Sequence, residues 1–332
     1  MRSVAYARPT DVRGAITAVA CDPGSSFLAG GTTEVDLLRL DVVWPNRLVD
    51  INRLPLDGID ELSGGGLRIG ALARMSDVAE DPAVVARFPV LSQALLLGAS
   101  AQLRNMASMG GNLMQKVRCP YFRDSGSACN KRLPGSGCAA LEGVNRNHAI
   151  LGTSEHCIAT HPSDAAVALV ALDAVVRTQR ADGGTRAVPV DDFFLLPGDT
   201  PHREHPVEHG ELITAIDVPA TPMARRSLYL KVRDRASYEF ALASVAVAVD
   251  VREGVIGEVR LALGGVATKP WRARRAEAFL TGRAARHDVF ARAAAEELTG
   301  ARPRPLNAFK AELARRTMVR ALETAVARDD AP

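Results

Sequence analysis

Apolar and polar positions follow two different patterns along the 332-residue chain. Up to about residue 220, short apolar runs that end in turns alternate with segments of helical periodicity, which predicts alternating strands and helices. The later part contains three strand-like runs and is almost wholly an Ala/Arg/Glu helical pattern from Arg272 onward. We therefore predict an α+β fold with mixed sheets and a domain boundary near residues 220–225.

The periodicity gives approximate bounds for the elements. The predicted helices before the boundary are 11–19, 33–40, 76–79, 89–97 and 163–172. The predicted strands are 27–28, 47–51, 67–70, 174–180 and 211–218, followed beyond the boundary by 226–232, 243–251 and 258–265.

Two glycine pairs stand about 80 residues apart in similar polar surroundings. Thr32-Thr33 follows Gly30-Gly31, and Gly110-Gly111 lies between Ser108 and Asn112. Glycines let a backbone approach a diphosphate closely, and hydroxyl and N–H groups at a helix start bind its oxygens. A tight turn alone is the plainer interpretation of each pair, since neither has the spacing of a Walker or Rossmann loop. Two such turns could hold one diphosphate from both sides.

A polar stretch at 116–161 has little periodicity and is much longer than the roughly 12 to 15 residues of an ordinary loop. We therefore expect something other than hydrophobic burial to order it. Four of the five cysteines lie here, separated by nine, eight and eighteen residues, while Cys21 stands alone. The four are Cys119, Cys129, Cys138 and Cys157.

Three chemistries suit four thiols at this spacing. Disulfides would form in an oxidising compartment, a tetrahedral zinc ion would order the segment at once, and a [4Fe–4S] cluster also takes four thiolates. No C-x-x-C pair favours one metal, and His148, His156 and His161 leave a mixed Cys/His site open. Five nearby cations would offset the charge of a thiolate centre: Lys116, Arg118, Arg123, Lys131 and Arg132.

Composition narrows the class of protein. Hydrophobic residues make up 47% of the chain and charged residues 24%, which excludes disorder. No apolar run reaches the roughly 18 to 20 residues of a membrane helix. The formal net charge of +3 is scattered among acidic residues, so neither a membrane nor a nucleic acid is expected as a partner. The first residues lack an apolar signal segment, so any export is expected to depend on a partner's signal.

Six segments, in family order, resemble the FAD-binding subunit of the molybdenum hydroxylases, the group of xanthine dehydrogenase and carbon monoxide dehydrogenase. They are LAGGTTEVDLL (28–38), ASMGGNL (107–113), THPSDAAVAL (160–169), GELITAIDVP (210–219), KVRDRASYEFALASVAVAV (231–249) and LALGGVATKPWRA (261–273). The cysteine-containing insert, residues 116–160, further resembles the flavoprotein subunit of heterotrimeric aldehyde oxidoreductases, whose insert carries a [4Fe–4S] cluster. The flavoprotein subunits of 4-hydroxybenzoyl-CoA reductase and xanthine dehydrogenase are the alternatives.

The resemblance implies a fold and a set of cofactor contacts. A vanillyl-alcohol-oxidase (PCMH)-type FAD-binding domain with lobes 1–55 and 56–222 would precede a C-terminal α+β domain of the CO dehydrogenase flavoprotein type, 223–332. Asp164 would bond the ribityl or ribose hydroxyls, Ile213 would pack by the flavin ring, and Lys231 would lie near its polar edge. The diphosphate would be held by Leu28, Ala29, Gly30, Gly31, Thr32, Thr33, Glu34, Val35, Ser108, Met109, Gly110, Gly111 and Asn112. The cluster ligands would be Cys119, Cys129, Cys138 and Cys157.

The same resemblance implies that three subunits carry the different cofactors of one electron-transfer chain. FAD bound here would receive electrons from the [2Fe–2S] clusters of a small subunit, supplied by the molybdenum cofactor of a large subunit, and pass them to an external acceptor. No residue of this chain is then expected to be catalytic, and the heterotrimer could itself dimerise. We expect a periplasmic location by co-export with a signal-bearing partner, with the cytoplasm as the alternative. A stand-alone flavin oxidase and a zinc-ordered, non-enzymatic interaction module are the other functions left open.

Overall fold

The computed structural model describes residues 3–327, which form three sheets with helices packed around them. The strands are β1 (Ala5–Ala7), β2 (Ser25–Leu28), β3 (Arg47–Asp50), β4 (Ile59–Glu61), β5 (Leu67–Gly70), β6 (Val175–Gln179), β7 (Thr185–Pro189), β8 (Leu212–Val218), β9 (Ser227–Val232), β10 (Ala243–Arg252), β11 (Val255–Gly264) and β12 (Trp271–Arg272). The helices are α1 (Val12–Ala20), α2 (Glu34–Arg39), α3 (Met75–Glu80), α4 (Pro82–Arg87), α5 (Pro89–Leu97), α6 (Ala101–Met106), α7 (Met109–Leu113), α8 (Pro120–Arg123), α9 (Asp164–Ala171), α10 (Val190–Phe193), α11 (Arg274–Leu280), α12 (His287–Leu298) and α13 (Phe309–Ala327). A 3₁₀ helix covers Pro222–Arg226 between β8 and β9.

The first sheet forms a small N-terminal lobe and is parallel, in the order β1-β3-β2. Helix α1 begins where the Asp11 carboxylate accepts a hydrogen bond from Gly14 N at 2.8 Å, which satisfies a free N–H of the first turn. Its apolar face, including Ile16, packs in one cluster with Val49 of β3. Because β2 ends at Leu28, the chain leaves this sheet directly into the first glycine pair.

The second sheet is antiparallel and has the order β4-β5-β8-β6-β7. Helices α5 and α9 share its apolar core. All eight residues of α9 are buried, as expected for a helix that is apolar on every face. The Ser163 hydroxyl caps this helix by accepting from Ala166 N at 2.9 Å. Asp164 is its first residue, so a carboxylate begins a helix inside the core.

The third sheet is antiparallel, in the order β12-β11-β10-β9, and belongs to the C-terminal part of the chain. Val245 and Val247 face the C-terminal helices, whereas Ala246 and Tyr229 enter the core that contains α9. The two parts of the chain therefore share a core, and β9 brings Lys231 close to the start of α9. Their independence as domains divided at residue 222 stays a prediction. Within residues 3–327, no helix combines the length and apolar character needed to cross a membrane.

Most predicted elements are present with shifted ends, and the α+β class is confirmed. The predictions 67–70 and 89–97 match β5 and α5 at both ends. The almost wholly helical pattern predicted from Arg272 onward corresponds to three helices, which begin after β12 ends at Arg272. The second glycine pair is not a free turn, since it lies in α7, where the Ser108 hydroxyl accepts from Gly111 N. Strands β1, β4 and β7, which lie at sheet edges, have no counterpart among the predicted elements.

The cysteine-containing insert, residues 116–160, is described throughout and has α8 as its one helix. Side chains bond much of its irregular backbone: Arg132 Nη1 donates to the carbonyl oxygens of Tyr121 and Phe122 at 2.8 and 2.6 Å. A small apolar cluster beneath the insert includes Leu37, Val117, Phe122, Cys129 and Cys157. Polar bonds from side chain to backbone thus add to a modest buried core.

Replacing Arg132 with alanine should loosen the insert. The change leaves carbonyl groups without their donor, and each buried unpaired group costs about 1–3 kcal/mol. Limited proteolysis of Arg132→Ala should therefore cut within 116–160 on the order of tenfold faster than in the wild type. Leu133→Ala is the matched control, because this neighbouring side chain is 64% exposed. Equal cleavage rates in the two variants would contradict an ordering role for Arg132.

Candidate functional site

The two glycine segments lie against each other, backbone to backbone. A Cβ atom placed on Gly30 would lie 1.9 Å from the carbonyl oxygen of Met106, so only glycine fits there. Gly31 has a φ of +71°, a value that residues with side chains rarely adopt. In the second segment, Gly110 N donates to Ala71 O at 2.8 Å. The glycine turn of the small lobe is therefore joined directly to that of the larger lobe.

Two polar residues that sequence analysis missed, Asn52 and Arg74, hold this contact. Asn52 Nδ2 donates to Ala29 O at 2.8 Å, and Asn52 Oδ1 accepts from Arg74 Nη2 at 2.9 Å. Arg74 Nη1 in turn donates to Met106 O at 2.5 Å. The Asp50 carboxylate accepts from Asn52 Nδ2 at 2.7 Å and fixes the amide. No motif marks these residues, because they lie outside both glycine segments.

Two cavities open on either side of the joined turns and meet at Thr32-Thr33 and Gly111, which line both. The Ile213 cavity has a volume of about 270 Å³ and is lined by Ile213 and by the first glycine turn. The Lys231 cavity has a volume of about 510 Å³ and is lined by Lys231 and Asp164. Volumes of several hundred Å³ are typical of cofactor sites. Together the cavities form one elongated site with the glycine turns at its middle.

The Ile213 cavity has both charged and apolar residues in its wall. Glu34, Lys116 and Glu211 are the charged ones. Burial raises the pKa of Glu34, and the charge of Lys116 opposes that rise. Glu211 is held by Arg186 Nη1 at 3.0 Å. The apolar lining residues are Phe27, Ala29, Ile51, Ala71, Leu72, Met114, Val207, Leu212 and Ile213. A ring with polar atoms at its edge suits such a mixed lining.

Asp164 and Lys231 form a buried ion pair in the wall of the Lys231 cavity. Lys231 Nζ lies 2.7 Å from Asp164 Oδ2 and donates to Leu97 O at 3.0 Å. The other carboxylate oxygen, Asp164 Oδ1, accepts from the Tyr229 hydroxyl at 2.6 Å. Burial raises the pKa of Asp164, against the lowering effects of Lys231 and Tyr229. An ammonium with two such acceptors keeps a third N–H for a ligand.

Most residues predicted to bind the cofactor line one of these two cavities. Leu28, Val35 and Met109 lie outside the walls of both, and the Met109 side chain is buried in the main core. Asn112 lines the Lys231 cavity, but its Oδ1 accepts a hydrogen bond from the Ser163 hydroxyl. A diphosphate oxygen would need the Asn112 Nδ2 atom as its donor, and that atom lies 3.4 Å from Met75 Sδ. The predicted contact of Asn112 with a diphosphate stays a prediction.

The family resemblance implies that Ile213 and Lys231 both contact the flavin ring, and these contacts stay predictions. Ile213 and Lys231 line different cavities, on opposite sides of the joined turns. The structure also adds two insert residues to the site, since Arg118 and Arg123 line the Lys231 cavity. Both guanidinium groups donate to Asp36 Oδ2, at 3.3 and 2.5 Å. The available sequence signal is their position, shortly after the second glycine pair.

A buried ion triad links the Ile213 cavity to the insert. Glu204 accepts from Lys116 Nζ at 2.5 Å and from Lys131 Nζ at 3.1 Å. Burial alone would raise the pKa of Glu204, but the two lysines lower it to about 2. Lys116 lines the cavity, and Lys131 follows Cys129 by two residues. The cofactor site and the cysteine segment therefore share one buried carboxylate.

The four insert cysteines lie in one region, and all are free thiols. Cys129 and Cys138 face each other across an antiparallel β-bridge. Cys129 and Cys157 share a buried apolar cluster against which Cys119 packs. Burial raises the pKa of Cys119 to about 12 and that of Cys157 to about 11. Cys21, by contrast, is exposed and lies outside the insert.

One histidine contacts these thiols directly. His148 Nε2 lies 3.2 Å from Cys119 Sγ, whereas His156 is exposed. Burial, with a smaller effect from Lys310, lowers the pKa of His148 to about 4. Across residues 3–327, no three His, Cys, Asp or Glu side chains are grouped closely enough to hold a single metal ion. The four thiols therefore lie in one region without meeting around a single point.

Two sequence families account for nearly the whole chain. The FAD binding domain in molybdopterin dehydrogenase matches residues 2–221, and the CO dehydrogenase flavoprotein C-terminal domain matches residues 228–325. The first match agrees with an elongated site centred on glycine turns. The chain therefore belongs to the FAD-binding flavoprotein subunits of the molybdenum hydroxylases. It is an oxidoreductase subunit with FAD as its cofactor.

Individual relatives agree with this assignment. The aldehyde oxidoreductase FAD-binding subunit PaoB of Escherichia coli (strain K12) is 48% identical over 98% of this chain and 99% of that protein. A xanthine dehydrogenase FAD-binding subunit of Escherichia coli O157:H7 is 26% identical over 82% of this chain and 77% of its own length. A solved carbon monoxide dehydrogenase from Hydrogenophaga pseudoflava has a TM-score of 0.77 and 26% identity, covering 98% of each chain. The family resemblance and the predicted fold are thus confirmed.

Gly30→Ala should abolish retention of FAD. Even a methyl group would meet the Met106 carbonyl, so the two turns would have to separate. Each 1.4 kcal/mol lost from binding weakens affinity tenfold, and we expect the flavin-to-protein absorbance ratio to fall by about tenfold or more.

Gly64→Ala serves as the control for this substitution, because a Cβ atom at Gly64 would meet nothing within 4 Å. It should retain its flavin, and circular dichroism should show both variants folded. A full flavin content in Gly30→Ala would contradict the proposed need for the backbone contact.

Proposed function

We propose that this chain is the electron-transferring FAD subunit of a molybdenum-dependent aldehyde oxidoreductase. The observation that carries the proposal is the elongated site, in which two unequal cavities meet at glycine turns in backbone contact. The aldehyde class is supported by the 48% identity to an aldehyde oxidoreductase subunit, against 26% to a xanthine dehydrogenase subunit.

The unequal volumes of the two cavities indicate the orientation in which FAD binds. Isoalloxazine is the larger of the two ring systems of FAD and has N–H and C=O groups along one edge. The Lys231 cavity is the larger one, about 510 Å³ against about 270 Å³, and contains an ammonium that such an edge can use. We therefore place the flavin beside Lys231, adenine beside Ile213, and the diphosphate at Thr32-Thr33 and Gly111. In this placement Ile213 contacts adenine, whereas the family resemblance implies that it packs against the flavin ring.

The residues of this chain bind the cofactor and tune it. FAD supplies one- and two-electron chemistry when bound. Lys231 would stabilise negative charge at the polar edge of the ring, which favours the reduced state. Asp164 holds the lysine in place, and Tyr229 holds Asp164. None of these roles requires a general base, so the reaction with the aldehyde is assigned to the molybdenum subunit.

Opposite substitutions in the ion pair should shift the flavin potential in opposite directions. Lys231→Met removes the positive charge and should lower the midpoint potential, whereas Asp164→Asn leaves the lysine unopposed and should raise it. A tenfold change in the ratio of reduced to oxidised flavin corresponds to about 30 mV for two electrons, and shifts of about that order are expected.

Spectroelectrochemical titration of the flavin band measures both shifts. Lys269→Met is the control, because that lysine pairs with Asp191 at 3.0 Å and does not line the Lys231 cavity. Unchanged potentials in Lys231→Met and Asp164→Asn, with FAD retained, would place the flavin elsewhere.

We further propose that Cys119, Cys129, Cys138 and Cys157 bind a [4Fe–4S] cluster. A four-iron cluster binds each thiolate through a different iron, so its ligands are spread more widely than those of one zinc ion. Free thiols that share a region without meeting at one ion suit that arrangement. The charge of Lys131 opposes the burial-raised pKa of Cys157 and would offset part of the negative charge of the cluster.

Metal analysis tests the cluster separately from FAD. The purified chain should contain about four iron and about four acid-labile sulfide ions. Cys129→Ser should lose the iron, while Cys21→Ser, at an exposed position outside the insert, should keep it. Zinc in place of iron, or equal iron loss in both variants, would exclude the cluster and leave the FAD assignment standing.

We also propose two partner subunits, a large one with the molybdenum cofactor and a small one with [2Fe–2S] clusters. The name of PaoB, an FAD-binding subunit of an oxidoreductase, supports an assembly of several chains. Co-expression followed by mass measurement should give a one-to-one-to-one complex or its dimer. A chain that stays monomeric with both candidates present would contradict the heterotrimer.

Export with a signal-bearing partner to the periplasm is the location that we propose, with the cytoplasm as the alternative. Cell fractionation should place the chain in the periplasm only when the partner with its signal is co-expressed. Retention in the cytoplasm under that condition would favour the alternative.

A further inference from the structure

His148 is buried although it lies in a polar insert. The residue is only 4% exposed, and its Nε2 atom lies 3.2 Å from Cys119 Sγ. The other ring nitrogen, Nδ1, is buried and has no hydrogen-bond partner among the described residues. The cysteine sulfur is therefore the polar group within hydrogen-bond distance of the ring, and the backbone of Asn145 lies near enough to oppose part of the fall in the pKa of His148.

Side chains from the C-terminal part of the chain donate hydrogen bonds to the backbone around His148. Asn307 Nδ2 donates to His148 O at 3.4 Å, and Lys310 Nζ donates to Asn147 O at 3.1 Å. Lys310 also donates to Gly265 O at 2.7 Å. Asn307 and Lys310 are both fully buried. The backbone that carries the ring is thus held by buried side chains of the C-terminal part of the chain as well as by the irregular insert.

The Cys119–His148 contact also lies beside the Lys231 cavity, where we place the flavin. A third cavity of about 110 Å³, the Cys119 cavity, is lined by Cys119 and His148. It shares Ser163, Asp164 and Phe240 with the Lys231 cavity. Cys119 therefore lines a cavity next to the proposed flavin position.

The chemistry of the sulfur decides which atom donates the hydrogen bond. A free thiol can donate its proton to Nε2. A thiolate bound to iron has no proton, so the bond can persist only if the ring places its own proton on Nε2. An N–H donor to a cluster sulfur stabilises the more negative, reduced cluster and is one of the means by which proteins set cluster potentials.

We propose that His148 is a positioning residue that donates an Nε2–H hydrogen bond to the Cys119 thiolate and raises the reduction potential of the cluster. The inference rests on the cluster assigned above to the insert. It gives Cys119, which lines a cavity beside the proposed flavin position, a side-chain donor, whereas the Cys157 sulfur accepts from a backbone group, Ala159 N, at 3.4 Å. The role is one of tuning, since His148 is not itself a ligand.

Redox titration of the cluster signal by electron paramagnetic resonance tests the proposal in the purified full chain. His148→Phe should lower the midpoint potential, with the reduced-to-oxidised ratio changing by about tenfold, which is about 59 mV for one electron. His148→Gln keeps an N–H donor at the end of the side chain and should restore most of the loss. His156→Phe is the matched control in the same insert, because its ring is exposed.

A second measurement does not depend on His148→Phe and covers the case in which that variant holds no cluster. In wild-type protein labelled with ¹⁵N-histidine, pulsed resonance of the reduced cluster should show a weak nitrogen coupling, and the His156→Phe variant should keep it. A strong coupling, typical of nitrogen bound to iron, would make His148 a ligand and overturn the proposal. An absent coupling, or equal potentials in His148→Phe and His156→Phe, would also overturn it. Wild-type protein without iron would instead refute the cluster assignment itself.

Discussion

A contact between two backbones, Gly30 against the carbonyl of Met106, determines where the parts of the cofactor site can lie. It brings the turn after strand β2 of the small lobe against the end of helix α6 in the larger lobe, at a separation that excludes even a methyl group. Asn52 and Arg74 hold the carbonyl groups on both sides. With the turns fixed, one cavity opens toward Ile213 and the other toward the C-terminal sheet.

The rest of the chain completes the second cavity from two directions. Strand β9 supplies Lys231, whose burial is possible because Asp164 at the start of α9 compensates its charge. The insert supplies Arg118 and Arg123, and Glu204 ties its Lys131 to the cofactor side. The cysteine segment is therefore part of the wall of the flavoprotein site. A change of charge in the insert would be felt in a region of low dielectric, where electrostatic effects are strong.

The sequence predicts local features well and long-range ones poorly. Strong periodicity and a terminal glycine define α5 and β5 at both ends, and the glycine segments identify the middle of the cofactor site. That Ile213 and Lys231 line different cavities depends on distances across the fold, which no local pattern contains. Asn52 and Arg74 are ordinary polar residues in the sequence, and their role depends on a backbone contact between distant segments. His148 likewise gains its environment only when Asn307 and Lys310 fold back onto the insert.

The orientation of the cofactor can be measured directly by solving the structure of the FAD-loaded chain. We predict one FAD across the joined turns, with its diphosphate at Gly30-Gly31 and Gly111. The polar edge of the isoalloxazine ring should lie within hydrogen-bond distance of Lys231 Nζ, and adenine should lie against Ile213. The reversed cofactor, with isoalloxazine in the Ile213 cavity, or a diphosphate bound away from both glycine segments, would contradict this arrangement.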